Sequence, residues 1–128
     1  MIVSQSKLRI VDNSGGKWAK CIKVKGKAAK AFAVLGDTVV VSVQSLRQRH
    51  KSQVRLRVNK SEIHLGVLVQ TRRFYKQVDG RVIRWGNNSI VLIGAKKNVL
   101  GTRISSTLPR ELRRLKWAKL GVLAKGFV

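Results

Sequence analysis

The sequence is poor in acidic residues, cysteine and proline, and each shortage restricts what the protein can be. Its 128 residues include 5 Asp and Glu, one cysteine and one proline. The single cysteine, Cys21, excludes an internal disulfide and a cysteine-based zinc site within the chain. The acids stand in separate segments, which argues against a paired acid and base or a two-metal site. We therefore expect a protein that is not an enzyme, with no catalytic residue, no metal site and no cofactor.

Long hydrophobic runs are also missing. No apolar run approaches the roughly 18 residues that a transmembrane helix needs. The first residues contain too short an apolar stretch for a signal peptide, and they lack the Arg-rich length of a transit peptide. The missing run excludes an integral membrane protein, and we expect no membrane among the partners. The protein either works where it is made or has a targeting segment that is absent from this sequence.

What the sequence has in excess is positive charge. There are 28 Lys and Arg residues, and the formal net charge is +23 at pH 7. Self-repulsion of this size weakens a compact state unless a polyanion neutralises it. Hydrophobic residues nevertheless make up 44% of the chain and recur in β-branched runs, as in 39–41 and 90–93. This combination predicts a folded basic domain with a nucleic acid or an anionic surface as its partner.

Short apolar bursts between turn signals indicate β-strands over about the first hundred residues. Alternation over 19–25 places Cys21 among the inward-facing residues and directs its lysines to solvent. The run 38–43 is continuous enough either to be buried on both faces or to line a small barrel. Asp79-Gly80 predicts a tight turn in a hairpin over about 71–85, because this pair suits two central residues with positive φ.

The C-terminal part changes to a helical period after Pro109. Gly121 is interpreted as the end of this helix. These features predict a short helical tail over about 107–128, following a barrel region of about 1–100 in a single all-β domain of residues 1–128. The apolar stripe expected to face inward consists of Leu112, Leu115 and Ala118.

The cationic clusters differ from an ordinary solvated face, which interleaves both signs of charge. The segment 44–60 contains cations and no acid, and its strict alternation at 54–58 predicts a strand. The two arginines of that strand would point outward about 6.6 Å apart, close to a phosphate spacing along a nucleic-acid strand. The predicted RNA-binding residues are Lys17, Lys20, Lys25, Arg47, Arg49, Arg55, Arg57, Arg72, Arg73 and Arg84.

Other residue types allow a chemical and a structural interpretation. Phe74 and Tyr75, among the cations of the hairpin, could stack on unpaired bases or brace the hairpin, and we favour bracing. Cys21 is interpreted as a core residue. His50 and His64 are far apart and lack carboxylates at ligand spacing, so they do not indicate a metal site.

Several blocks of the sequence resemble the universal large-subunit ribosomal proteins of family fourteen. The main motif is spaced over residues 66–92, and Trp85 stands where the family usually has Phe or Tyr. Further matching blocks lie at 11–15, 21–24, 36–37, 101–104 and 110–113, so the resemblance spans almost the whole chain. The motif consists of Gly66-Val67-Leu68-Val69, Asp79-Gly80, Trp85, Asn88 and Val91-Leu92.

The resemblance implies a small five-stranded β-barrel with a protruding β-hairpin and a short C-terminal helical segment. It also implies a structural constituent of the large ribosomal subunit, which binds large-subunit rRNA and neighbouring large-subunit ribosomal proteins. Small-subunit rRNA at an intersubunit bridge and a ribosome silencing factor are further implied partners. By analogy, the residues at the subunit interface are Thr102, Arg103, Arg110 and Arg113.

The shortage of acids and the charge of +23 look like those of an organellar ribosome, with a mitochondrial location expected and the bacterial cytoplasm as the alternative. Arg-Glu-Leu-Arg at 110–113 favours the bacterial type over the cytosolic eukaryotic type. Two other function classes remain compatible with the residues alone. One is a free RNA-binding translation factor or RNA chaperone with a small β-barrel, and the other is a cationic membrane-surface protein.

Overall fold

The computed structural model describes residues 2–28, 30–47, 58–114 and 116–128, and its centre is a closed barrel of five strands. The all-β class and the five-stranded barrel predicted above are thereby confirmed. The barrel strands are β1 (Lys7–Ile10), β2 (Gly16–Val24), β3 (Thr38–Leu46), β4 (Ile63–Gln70) and β7 (Ser89–Ile93). The other elements are β5 (Tyr75–Lys76), β6 (Val82–Ile83), β8 (Ile104–Leu108), α1 (Glu111–Arg114), α2 (Ala118–Leu123) and β9 (Ala124–Phe127).

The barrel closes through a parallel contact between its first and last strands. β1 pairs with β7 in parallel, while the other neighbouring pairs of the barrel are antiparallel. Along β3, Val39, Val41 and Val43 are fully buried, whereas Val40 is half-buried. Because successive side chains of a strand point to opposite faces, this alternation shows that β3 lines the barrel interior rather than being buried on both faces.

A second hydrophobic core lies outside the barrel wall. All five residues of β7 are buried, because Ile90 and Leu92 point into the barrel and the alternate residues pack against the C-terminal segment. β4 is divided in the same way, although its first residue, Ile63, is 66% exposed. The outer core contains Val67, Val69, Val91, Ile93, Ile104, Leu108, Leu112, Trp117 and Leu120.

The C-terminal segment differs from the single helix that its period predicts. Two short helices form, and Ala118 is exposed although it was expected in the apolar stripe with Leu112; Leu115 lies outside the described residues. Leu112 is buried as expected, and the other buried positions of the two helices and the chain between them are Trp117 and Leu120. The indole Nε1 of Trp117 donates to the Gly36 carbonyl at 2.9 Å, which fixes the chain between the helices against the barrel.

The end of the described chain is a strand rather than a continuation of the helix. Gly121, expected to end the helix, lies inside α2, and β9 then pairs in parallel with β8. This pairing supplies backbone partners that a local helical pattern does not reveal. Within the described ranges, no helix is long and apolar enough to cross a membrane.

The predicted hairpin is present, but its turn is of another type. Gly80 has a φ of 90°, and Asp79 is not among the residues with positive φ. The Gln77 amide donates to the Arg81 carbonyl at 2.7 Å, and the Gly80 amide donates to the Gln77 carbonyl at 3.0 Å. A three-residue loop with one left-handed glycine explains this pattern. The prediction of a turn with two positive φ values is therefore wrong.

The hairpin stands outside the barrel sheet, and its turn contacts the C-terminal segment. The side-chain nitrogen of Gln77 donates to the Val128 carbonyl at 2.9 Å. The Asp79 carboxylate lies 3.5 Å from the Arg110 guanidinium. The hairpin is therefore attached to the rest of the molecule at its turn as well as at its base.

Candidate nucleic-acid interface

Each of the five acids lies among the described residues, and each has a partner within the chain. Asp12 is buried at 1% exposure, and the other acids lie on the surface or near it. None stands on the outer face of β1 or β2. Most of the Lys and Arg side chains that the structure describes are therefore left without an acidic partner. The contacts are Asp12 with Ser14, Asp37 with Lys27, Glu62 with Asn59 and His64, Asp79 with Arg81 and Arg110, and Glu111 with Gln77.

We define the β1–β2 face as Lys7, Arg9, Trp18 and Lys20. Lys7 stands directly opposite Lys20, and Arg9 stands opposite Trp18 in the antiparallel pairing. The Lys7 ammonium lies 4.5 Å from the centroid of the Trp18 ring. The three cations are exposed, because the residues that alternate with them, such as Leu8, point into the barrel. Like charges directly opposite each other destabilise a sheet, so this face favours an anionic partner.

Two further predicted RNA-binding residues, Lys17 and Lys25, extend this face beyond Lys20 in both directions along β2. Lys17, Lys20 and Lys25 are all exposed, with Lys17 near the beginning of the strand and Lys25 directly after its end. At the rise of a β-strand, eight residues span about 26 Å, which is long enough to contact several successive phosphates. Irregularities in the pairing of β2 with β3 interrupt the strict alternation between these lysines.

The predicted Arg47 makes hydrogen bonds within the chain through both its side chain and its backbone. Its side chain is half-buried, and its guanidinium donates to the Ile10 carbonyl at 3.1 Å. Its amide donates to the Gly15 carbonyl at 2.9 Å. Arg47 therefore ties the end of β3 to the end of β1. Arg49, Arg55 and Arg57 lie outside the described residues.

Three further predicted residues lie together at the base of the hairpin. Arg72, Arg73 and Arg84 are exposed, and the Arg72 amide donates to the side-chain oxygen of Asn88 at 2.8 Å. The backbone carbonyl of Asn88 accepts a hydrogen bond from the Arg9 amide at 2.9 Å. Asn88 thus joins the hairpin base to the β1–β2 face, so the two cationic groups are neighbours in the fold.

The loop with Thr102 and Arg103 is held by Asn13, which lies between β1 and β2. The side-chain oxygen of Asn13 accepts hydrogen bonds from the amides of Thr102 at 2.6 Å and Arg103 at 3.1 Å. A Cβ on the neighbouring Gly101 would lie 2.6 Å from the same oxygen, so this position needs glycine. Thr102 and Arg103 are exposed on a loop of defined conformation.

Arg110 and Arg113, the other predicted interface residues, are exposed and line a cleft of about 540 Å³ beside the hairpin turn. The Arg113 guanidinium lies 4.2 Å from the centroid of the Phe127 ring. From Arg103 to Arg110 the chain passes through β8, a distance of about 23 Å at the rise of a strand. The structure therefore places the four interface candidates as two pairs at opposite ends of β8.

Asp12 organises the turn that precedes the β1–β2 face, and sequence reasoning missed this role. One carboxylate oxygen accepts hydrogen bonds from the amide and hydroxyl of Ser14, and the other accepts one from the Leu92 amide at 2.8 Å. Leu92 is 80 residues away in sequence. Asp12 thus attaches the turn between β1 and β2 to β7, on the far side of the barrel seam.

The groups with shifted pKa values are one thiol, one phenol and two carboxyls. Burial raises the pKa of the Cys21 thiol, and burial together with the nearby Glu111 raises the pKa of the Tyr75 hydroxyl. Hydrogen bonds from Asn59 hold the pKa of Glu62 below its ordinary value. Among the residues that the structure describes, no group of three His, Cys, Asp or Glu side chains could hold a metal ion.

A small closed barrel with an acid-free cationic face defines the class of basic β-barrel proteins that bind polyanions. The family model for ribosomal protein L14p/L23e matches residues 1–128, the whole chain. The chain belongs to this family, which confirms the resemblance found in the sequence. It is therefore a structural protein of the large ribosomal subunit, located at the ribosome, and its partners are ribosomal RNA and other ribosomal proteins.

Proposed function

We propose that the chain anchors itself to large-subunit rRNA through the β1–β2 face and the hairpin base. The observation that carries this proposal is the placement of Lys7 directly opposite Lys20, with every acid of the chain engaged elsewhere. Two like charges at this spacing repel each other in the free protein. Phosphates would remove that repulsion, and their binding would release counterions from the RNA, so both effects favour binding.

The salt dependence of RNA binding tests this anchor. Exchanging Lys7→Gln and Lys20→Gln together should make the slope of log K against log salt shallower by about 1.4 to 1.8, at 0.7 to 0.9 per phosphate. Lys27→Gln is the matched control, because the Lys27 ammonium already contacts Asp37 at 2.6 Å. An equal change in both variants, or no change in the double variant, contradicts the proposed anchor.

We further propose that Thr102 and Arg103, with Arg110 and Arg113, contribute to an intersubunit bridge with small-subunit rRNA. The support is their exposure, together with the Asn13 hydrogen bonds that fix the loop conformation before any partner binds. A preformed loop loses little conformational entropy on binding. These two pairs of residues are also the surface that we propose for a ribosome silencing factor.

Charge reversal distinguishes bridging from anchoring. Arg103→Glu with Arg113→Glu should leave the protein content of large subunits unchanged and lower the ratio of joined to free subunits at low magnesium. Lys76→Glu, an exposed cation on β5, is the control. If protein content and joining fall together, these residues anchor the protein and do not bridge.

We also propose that the protein is located in the mitochondrial matrix and that it has no catalytic activity. The support is the charge of +23 with 5 acids, and the alternative location is the bacterial cytoplasm. Antibody detection in purified mitochondrial large subunits tests the location. Release by a moderate salt wash would instead support a free RNA-binding factor.

A further inference from the structure

A cavity of about 330 Å³ lies between the loop 32–35 and the base of the hairpin. Its buried lining comes from Ala33, Leu35 and Thr71, each less than a tenth exposed. Two aromatic rings stand at its rim: Phe32 is 39% exposed and Phe74 is 68% exposed. The cavity therefore offers an apolar interior with aromatic side chains open to solvent, beside the arginines of the hairpin base.

An arginine side chain contacts the ring of each phenylalanine at the rim. The Arg73 guanidinium lies 5.5 Å from the centroid of the Phe32 ring, and that of Arg84 lies 5.3 Å from the Phe74 centroid. The described residues that line the cavity include no acid. Planar guanidinium groups stack on aromatic rings and also pair with phosphates. A ligand with a flat apolar ring and a nearby negative charge would match both features.

The walls of the cavity are held by backbone hydrogen bonds in the free chain. The Ala33 amide donates to the Ile2 carbonyl at 2.7 Å, which attaches one wall to the start of the described chain. On the other wall, the Arg73 amide donates to the Thr71 hydroxyl at 3.2 Å, and the Thr71 carbonyl accepts from the Trp85 amide. Because the walls are preformed, little conformational entropy would be lost when a ligand binds.

Phe74 and Tyr75, for which the sequence allowed either stacking or bracing, have different surroundings in the structure. Tyr75 is half-buried and stands opposite Ile83 in the pairing of β5 with β6, so it braces the hairpin as expected. Phe74 is exposed and has no such role in the hairpin pairing. Exposure of a large ring costs free energy in water, and this cost would be recovered by a stacking partner.

We propose that this cavity holds one unpaired RNA base, stacked on Phe74 beside Phe32, with Arg73 and Arg84 contacting the adjoining phosphates. The inference rests on the proposed rRNA binding and adds a base-recognition site to a surface otherwise expected to contact phosphates. The acid-free, arginine-rimmed lining favours a nucleotide over an apolar side chain of a neighbouring protein, which would leave the guanidinium groups without an anionic partner.

Two RNA probes with equal numbers of phosphates test the site on the full chain: a uridine octamer and an octamer of abasic ribose. The wild type should bind the uridine octamer more tightly, by about fivefold or more, since stacking of one base has a comparable effect in other proteins. Phe74→Leu should lose most of this preference, and Phe74→Tyr should keep it. Val82→Ala, an exposed apolar residue on β6, is the control and should behave as the wild type.

The two probes separate failure of this inference from failure of the proposed rRNA binding. If both octamers bind equally with a steep salt dependence, the base site is refuted and the phosphate anchor stands. If neither octamer shows a salt dependence, the anchor itself fails. In intact large subunits, ultraviolet crosslinking should attach an rRNA base to a peptide containing Phe32 or Phe74. A crosslink from these residues to a ribosomal protein alone would overturn the assignment.

Discussion

Removal of the Asp12 side chain should destabilise the barrel more than removal of any exposed acid. Asp12 accepts hydrogen bonds from the amides of Ser14 and Leu92, both in buried surroundings. In Asp12→Ala, these two amides would remain in the interior without an acceptor. Because Asp12 connects the β1–β2 turn to β7, the loss also weakens the seam at which the barrel closes.

The magnitude follows from the number of amides left unpaired. Each buried donor without a partner costs about 1 to 3 kcal/mol, so Asp12→Ala should lower the free energy of unfolding by roughly 2 to 6 kcal/mol. Asp12→Asn keeps one acceptor oxygen of the two, so it should lose about 1 to 3 kcal/mol. A total stability of about 5 to 15 kcal/mol is typical of a domain, so the alanine variant would be close to unfolding.

Urea denaturation followed by tryptophan fluorescence measures these differences, and a constant moderate salt concentration limits self-repulsion of the chain. Asp79→Ala is the control, because Asp79 is exposed and its partners are surface arginines. Asp79→Ala should unfold at nearly the same urea concentration as the wild type. If Asp12→Ala unfolds at the same midpoint as Asp79→Ala, the two amides find other partners and the reasoning is wrong.

Two further predictions concern Arg47 and Cys21. Arg47→Gln removes the guanidinium bond to Ile10, so it should lower stability by about 1 to 2 kcal/mol in urea while the salt slope of RNA binding stays unchanged; a changed slope with normal stability would contradict the structural role. Burial raises the pKa of the Cys21 thiol. Above about pH 8.5 the unfolded chain therefore loses its thiol proton before the folded chain does, so the free energy of unfolding falls as pH rises. Wild-type stability should therefore decline more between pH 8 and 10 than that of Cys21→Val, and iodoacetamide should label Cys21 at pH 8.5 after denaturation and hardly before it.

Much of the barrel was predictable because strand alternation is a local signal. Val39, Val41 and Val43 face inward as a period of two requires, and Cys21 is buried as expected. The outer core was not predictable in this way. The run 90–93 is buried on both faces because residues after position 103 cover it, and that contact joins segments distant in sequence.

The helical period of the C-terminal segment was misleading for a related reason. The spacing of Leu112 and Ala118 fits one helix, but the Trp117 indole bonds to Gly36 and the chain forms two helices. The preference of a local pattern was overridden by a tertiary contact.

The candidate site was only partly predictable. Lys7 and Arg9 could have been found from the alternation of β1, since they flank the inward-facing Leu8. The roles of Asp12 and Asn13 depend on partners 80 and 89 residues away, which turn propensity does not reveal. Charge composition indicated an anionic partner, whereas the geometry of the loops emerged only in the folded chain.

The sharing of β4 and β7 between two cores has a consequence for biosynthesis. The five barrel strands are complete once Ile93 has been translated, but Val67, Val69, Val91 and Ile93 then face outward without their cover. The residues that cover them, from Ile104 to Leu120, leave the ribosome later. During this interval the nascent barrel would present an apolar strip beside strongly cationic strands, a combination prone to aggregation with nucleic acid. Rapid folding of the C-terminal segment, or a chaperone that covers the strip, would therefore reduce aggregation during synthesis of this protein.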